Sequence, residues 1–386
     1  MTKTRTYLDY NASAPLLAEA RAAAIAALDS ANPSSVHSEG RAARQMADRA
    51  RRSVAALVGG EAEHVIFTSG ATEAAATLLS PDWRMGRSAL RFSKLYVCEA
   101  DHACTLGGGR FDAGDVVRFG VDVNGIADLA GLESVLAQHD REAGLPLVAV
   151  HAANNETGVI QPVQEIARVV KAAGGVLIVD AVQAVGRISI EITNDCGDFF
   201  ILSAHKIGGP KGVGAFVGRS DLMMPVPLIT GGGQEKGHRA GTENLSGIAG
   251  FGAAAEIAAA GFDAMDAMRN LRDKAEAALL QQFPGAIIHG KSVARLANTS
   301  LFTIPGLKAE TALIAFDLAG IAVSSGSACS SGRVGPSHVL KAMGFDAEEG
   351  AIRLSTGPET TQADIGRFEA ALADIAARRG GRPKAA

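Results

Sequence analysis

Between residues 64 and 202 short apolar runs alternate with alanine-rich stretches of helical period, and that alternation limits the folds open to the chain. His64-Val65-Ile66-Phe67-Thr68, Lys94-Leu95-Tyr96-Val97-Cys98, Leu147-Val148-Ala149-Val150-His151, Val176-Leu177-Ile178-Val179 and Phe199-Phe200-Ile201-Leu202 read as strands. Between the third and fourth lies Pro162 to Lys171, where Val163, Ile166, Ala167 and Val170 share one helical face. Proline opens that helix and Gly174-Gly175 follow its end, the usual asymmetry of helix termini. Strand–helix–strand alternation predicts an α/β fold whose sheet is mainly parallel and covered by helices. After about residue 256 the pattern changes to a long helix over roughly 261–282 and then short strands at 300–304, 321–323 and 351–354. The chain therefore divides into a large domain, 13–256, and a smaller α+β domain built from 257–386, with 1–12 joining it. A length of 386 residues and 47% hydrophobic content suit one large core beside a smaller one.

Open parallel sheets bind ligands outside the carboxyl ends of their strands, so the residues at those ends deserve a chemical reading. The first strand runs into Thr68-Ser69-Gly70-Ala71-Thr72-Glu73 and then a helix; this is a phosphate cradle or an ordinary helix start. The strand at 147–151 leads to Ala153-Asn154-Asn155-Glu156-Thr157-Gly158, where Asn155 can hydrogen-bond a ligand or simply shape a turn. The next ends in Asp180-Ala181-Val182-Gln183, and an acid closing four apolar residues needs a partner. The strand at 199–202 supplies Ser203-Ala204-His205-Lys206, followed by the glycine-rich turn 207–212. A lysine and an aspartate at neighbouring strand ends are what pyridoxal phosphate requires: the amine forms a Schiff base with its aldehyde, and the carboxylate keeps its ring nitrogen protonated. Ser203 and His205 can donate to the phosphate, and Gln183 can reach the phenolate oxygen. Lys211 is a rival for Lys206, but it sits inside the glycine-rich turn and beyond the strand.

Three further residues stand out. His102 follows the strand 94–98, and it is either a structural histidine or one that stacks on a cofactor ring. Cys329 lies in Ser324-Ser325-Gly326-Ser327-Ala328-Cys329-Ser330-Ser331-Gly332, with almost no apolar neighbours, which points to an accessible thiol on a loop rather than a core cysteine. Arg353, on the last short strand, can clamp a carboxylate.

Composition excludes other classes. Lys+Arg 37 against Asp+Glu 41 leaves a net charge of −4, which provides no electrostatic footprint for nucleic acid. The cluster Arg41, Arg44, Arg49, Arg51 and Arg52 is interleaved with acids and reads as a solvated helix face. The alanine-rich stretches are broken by charge, so no membrane span is expected. Four cysteines without Cys-x-x-Cys spacing form neither a disulfide framework nor a zinc module, and a cytoplasmic location is expected.

The ordered set of motifs resembles one family closely. Tyr7-Leu8-Asp9-Tyr10-Asn11-Ala12, Asn32-Pro33-Ser34-Ser35-Val36-His37, Phe67 to Glu73, Ala153 to Gly158, Asp180 to Gln183, Ser203 to Lys206, Gly231 to Asn244 and Ser325 to Cys329 match the cysteine desulfurases. These are fold-type I pyridoxal phosphate enzymes related to class V aminotransferases. The resemblance implies a transferase fold with a seven-stranded type of sheet, and Lys206 as cofactor anchor. Asp180 would pair with the ring nitrogen, while Ala71, Thr72, Ser203 and His205 would hold phosphate. His102 would stack on the ring, and Asn155 and Gln183 would contact ring oxygen or substrate. Arg353 would bind the carboxylate of L-cysteine, and Cys329 would accept the sulfur. Thr242 would reach the phosphate of the other subunit, implying a homodimer. The serine-rich setting of Cys329 is similar to the group that hands sulfur to an iron–sulfur scaffold or a tRNA thiolation relay. The same fold also serves selenocysteine lyases, aminotransferases and non-catalytic dimeric scaffolds; the thiol at Cys329 argues against an aminotransferase. The chain departs from the family pattern at Asp101-His102-Ala103, at Leu106-Gly107-Gly108-Gly109-Arg110 and after Glu73, with the poorest match over 76–115.

Overall fold

A computed structural model describes residues 5–194, 196–326, 336–346 and 348–380. The chain enters through a short strand β1 (Thr6–Tyr7) and two helices, α1 (Ala18–Leu28) and α2 (Ser38–Ala56). Then follow β2 (Val65–Thr68), α3 (Ala71–Leu78), β3 (Asp82–Met85), β4 (Ser88–Cys98), α4 (Ala103–Leu106), β5 (Val116–Phe119), α5 (Leu129–Ala137) and β6 (Leu145–His151). Next come α6 (Val163–Ala172), β7 (Val176–Asp180), β8 (Phe199–Ser203), β9 (Gly214–Gly218), β10 (Met223–Pro225) and α7 (Leu245–Ala260).

The main sheet takes the order β2-β9-β8-β7-β6-β4, and β5 joins the outer side of β4. The β4–β5, β4–β6, β6–β7 and β7–β8 pairs are parallel, as the apolar runs predict. Two features differ from simple alternation. β9 lies antiparallel between β8 and β2, so β2 again points the same way as β8. The first half of β4 also pairs with β3, which pairs with β10, giving nine strands among the described residues. Because β9 reverses the chain twice over, the carboxyl ends of β2, β4, β6, β7 and β8 all emerge on one edge. Alternate residues of each strand feed opposite faces: Leu177 and Val179 join one buried cluster, Val176 and Ile178 the other. Helix α6 buries Val163, Ile166 and Val170, three of the four positions its period marks, while Ala167 packs at the margin of the cluster. Helix α2 buries Ala43, Ala47, Ala50 and Val54, a small-residue stripe on which α7 lies. A β-carbon on Gly252 of α7 would come within 2.6 Å of Ala50, so glycine sets that spacing.

The second unit begins with α8 (Met265–Gln282), which starts four residues later than the helical pattern indicates because a 3₁₀ turn occupies 261–264. β11 (Ile287–Ile288), β12 (Thr299–Thr303), α9 (Ala309–Leu318), β13 (Ile321–Ala322), β14 (Ser324–Ser325) and β15 (Ile352–Ser355) follow, with a helix over His338–Ala342 before β15 and another over Gln362–Gly380 after it. The order β11-β12-β15-β14 is antiparallel throughout. β1 pairs in parallel with β13, and Leu8 is buried with Phe302, Phe316 and Phe368 in this unit's own core. Among the described residues no single helix is long and apolar enough to cross a membrane.

Candidate active site

The shared edge of strand ends encloses a cleft of about 460 Å³. Ala71, Thr72, His102, Asn155, Asp180, Gln183, Ser203, His205 and Lys206 all line it, although they come from five separate stretches of chain. The parallel strands bring Asp180, at the end of β7, beside β8, from which Lys206 follows in a 3₁₀ turn. Lys206 Nζ donates to the carbonyls of Asn11 at 2.7 Å and Ala12 at 2.9 Å. Gln183 Nε2 donates to the same Asn11 carbonyl at 3.0 Å, so the segment after β1 forms one wall around the amine. Gln183 Oε1 in turn accepts from Arg187, whose cation burial depresses to about 10.

The Asp180 carboxylate accepts from the backbone N–H of Val182 at 3.0 Å. Burial raises its pKa above the ordinary aspartate value, and His102 opposes that rise. A carboxylate in this state is poised for a cationic N–H partner across the cleft. His102 is held below the usual imidazole value by burial, with Asp180 pulling the other way. Its Nδ1 accepts the backbone N–H of Cys104 at 3.2 Å and also contacts the Cys104 thiol at 3.1 Å, which puts the neutral ring's proton on Nε2. Burial, with Asp180 adding to it, pushes that thiol up to about 12.

At the far end, α3 begins without a side-chain cap at Gly70, so its first backbone N–H groups face the cleft. Gly214 opens β9 against this turn, where a β-carbon would lie 2.7 Å from the Gly70 backbone. The close approach draws the helix start against Ser203 and His205. His205 is lowered to about 4 by burial and by Lys206 and Lys211, so it is neutral in the physiological range, and its Nδ1 lies 3.3 Å from Ser13 Oγ. Open amides at a helix start, a serine, a neutral histidine and the ammonium of Lys211 suit a phosphate dianion. Together with Lys206 for an aldehyde and Asp180 for a ring nitrogen, the residues fit pyridoxal phosphate in size, polarity and order.

Two of the described residues marked in the sequence do not line this cleft. Thr242 is exposed, on the segment that follows the 3₁₀ turn 234–237. Arg353 is fully buried; it donates to Asp9 Oδ1 at 2.8 Å and to the carbonyl of Asn155, a residue of the cleft wall, at 3.0 Å. Cys329 lies outside the described residues. Conversely, Ser13, Cys104 and His151 line the cleft and were not marked. His151 is the last residue of an apolar run, which is the same signal that marks Asp180. The Arg41–Arg52 cluster is solvated except at Arg51, which forms a bidentate ion pair with the buried Glu235 at 2.7 and 2.8 Å.

The family model described as Aminotransferase class-V matches residues 6–368. A cysteine desulfurase of Cereibacter sphaeroides is 41% identical over 384 residues, which cover 96% of this chain and 95% of that protein. A cysteine desulfurase of Frankia sp. (strain EuIK1) is 37% identical, covering 96% of this chain and 90% of the relative. Among solved structures, a NifS-like protein from Rickettsia africae ESF-5 superposes with a TM-score of 0.85 at 33% identity, over 96% of this chain and 99% of the other. With its lysine, aspartate and phosphate cup in one cleft, this chain belongs to the class-V aminotransferase family of pyridoxal phosphate enzymes.

Proposed function

We infer that this protein is a cysteine desulfurase, which takes sulfur from L-cysteine and releases L-alanine. The observation that carries the inference is the convergence of Lys206, Asp180, His102 and the open start of α3 on one cleft, in a chain whose full-length relatives are named cysteine desulfurases. Bound pyridoxal phosphate supplies an aldehyde for Lys206 and an electron sink for the substrate α-carbon. Asp180 would keep a proton on the ring nitrogen, and His102 would lie beside the ring. The start of α3, Ser203 and His205 would hold the phosphate. Arg353 stands behind Asn155, and we assign it the substrate carboxylate. Lys206 Nζ, once released, takes the proton from the substrate Cα.

Cys329 receives the sulfur. Its Sγ, as thiolate, attacks the substrate sulfur; the Cβ–S bond breaks, its electron pair stays on carbon, and carbon takes up a proton to become the methyl of alanine. The cysteine thiol is oxidised to a persulfide and the substrate carbon is reduced, so no outside oxidant enters. The persulfide then passes to an acceptor protein, an iron–sulfur scaffold or a tRNA thiolation relay. We further propose a homodimer, because Thr242 is exposed and away from its own cleft. A cytoplasmic setting accords with Cys98, Cys104 and Cys196, which are all free thiols. The test is a Cys329→Ala variant. It should keep the visible band of the lysine-bound cofactor yet release no sulfide from L-cysteine; turnover at the normal rate overturns the role of this thiol.

A further inference from the structure

We propose that the buried pair Asp101–His151 is a strut that orients His102 over the cofactor, which makes both of them positioning residues. The proposal rests on the reading of the cleft as a pyridoxal phosphate site. Asp101 immediately precedes His102 and is 1% exposed; His151 is 3% exposed and its ring reaches the cleft wall. Every polar group of Asp101 is engaged. Oδ1 accepts from His151 Nδ1 at 2.5 Å and from the His151 backbone N–H at 2.9 Å. Oδ2 accepts from the Cys98 N–H at 3.3 Å, and the Asp101 N–H donates to the Cys98 carbonyl at 2.9 Å. The Asp101 carbonyl accepts from His338 Nε2 at 2.8 Å. One residue therefore ties the end of β4 to the end of β6 and to the helix His338–Ala342, and His102 is next in line.

The tautomer of His151 follows from its neighbours. Gln161 Oε1 accepts the Ala127 N–H at 2.9 Å, so the amide nitrogen must face the other way, toward the Gly125 carbonyl at 2.7 Å and His151 Nε2 at 3.1 Å. An amide N–H meeting Nε2 requires Nε2 to accept, which leaves the ring hydrogen on Nδ1, aimed at Asp101. The donor atoms of Cys98, Asp101 and His151 lie within 4.8 Å of one another, a spacing that a metal ion can use. Both ring nitrogens of His151 are already committed, however, and burial pushes the Cys98 thiol well above its ordinary value. The cluster works as a hydrogen-bonded brace. A tilt of His102 when the brace is lost would disturb its contact with the ring, and misplacement on the scale of 1 Å in an active site costs up to about a hundredfold in rate.

The experiment compares holoenzyme of wild type, His151→Leu, His151→Asn, His102→Ala and the double variant His151→Leu/His102→Ala. Its readouts are the visible circular dichroism of the bound cofactor and kcat and KM for L-cysteine. His151→Leu should lower kcat by about tenfold or more, with KM changed less than about threefold, and should alter the dichroism. His151→Asn, whose side-chain N–H replaces the Nδ1 donor, should recover most of the rate and the wild-type dichroism. In the His102→Ala background, His151→Leu should add less than about a twofold loss, because its effect runs through His102. Equal losses in both backgrounds, or no loss in the wild-type background, overturn the proposal. Should His151→Leu fail to fold, a His151→Asn protein with altered dichroism overturns it and one with wild-type dichroism supports it. Wild-type protein with no visible band removes the cofactor reading itself, and this proposal with it, whereas additive losses with the band present remove only this one.

Discussion

On the proposed reading, Lys206 and Asp180 divide the work that a bound aldehyde cofactor needs, and each makes a separate prediction. Lys206→Ala should purify without a visible band that borohydride removes, whereas wild type should show one. Asp180→Asn should keep the band, since Lys206 is untouched, but lose the charge-assisted partner of the ring nitrogen. A loss of about 3 kcal/mol in a buried charged pair corresponds to about two orders of magnitude in kcat; unchanged turnover would remove Asp180 from the account. Two histidines bear on stability instead. Burial, Lys206 and Lys211 lower His205 to about 4, and burial alone lowers His289 to about 4. An unfolded histidine titrates near 6.5. Between about 6.5 and 4 the unfolded chain therefore binds more protons than the folded one, and stability falls as pH drops through that window. His289→Gln should show a shallower fall in melting temperature from pH 7 to pH 5 than wild type; parallel curves would contradict the assignment.

At the scale of elements, the segment Gly231 to Asn244 is fastened to the large domain by two ion pairs. Glu235 and Lys236 adopt left-handed backbone conformations, with φ of 47° and 56°, that non-glycine residues seldom adopt. Arg51 compensates by holding both Glu235 oxygens while its guanidinium lies 4.8 Å from the Phe67 ring centre, and the Phe67 N–H also donates to Glu235 at 2.9 Å. Arg239, on the same segment, pairs at 3.0 Å with Glu73 in the first turn of α3. Arg51→Ala strands the Glu235 carboxylate, which is 3% exposed, and should cost about 3–5 kcal/mol in denaturant unfolding. A cost below about 1 kcal/mol would show that the pair holds nothing. This pair also shows where sequence reasoning stops. Arg51 reads as one of a solvated row because its partner lies 184 residues away. β7 and β8 are legible because a strand buried on both faces is an unbroken apolar run. β9 is not, since Gly214-Ala215-Phe216-Val217-Gly218 carries glycine at both ends, and only the packing of Gly214 against Gly70 and of Gly218 against Phe199 explains why. Helix α7 is hidden for a related reason: Leu245 to Ala260 is alanine- and glycine-rich on every side, so no face stands out by period. In the cleft, the residues at strand ends are readable one by one, but the Asn11 and Ala12 carbonyls around Lys206 are backbone groups and leave no mark in side-chain pattern.

For the whole molecule, the two units share the task. The large sheet assembles the cleft, and on the proposed reading Arg353 of β15 and the thiol of Cys329 complete it. The proposed dimer adds Thr242 to a neighbour's phosphate. Thr242→Val should then weaken cofactor retention, followed by the visible band during dialysis, while a sedimentation experiment on wild type should give twice the 39.5 kDa chain mass. A monomer with full cofactor retention would contradict the shared site. The central claim is that sulfur leaves L-cysteine for the thiol of Cys329, and one measurement addresses it directly: incubation of the holoenzyme with L-cysteine, then the mass of the peptide carrying Cys329. The account predicts a gain of one sulfur atom on that peptide, lost on reduction, together with alanine in solution. Alanine and sulfide released while the peptide keeps its original mass, with no other route through Cys329, would contradict it.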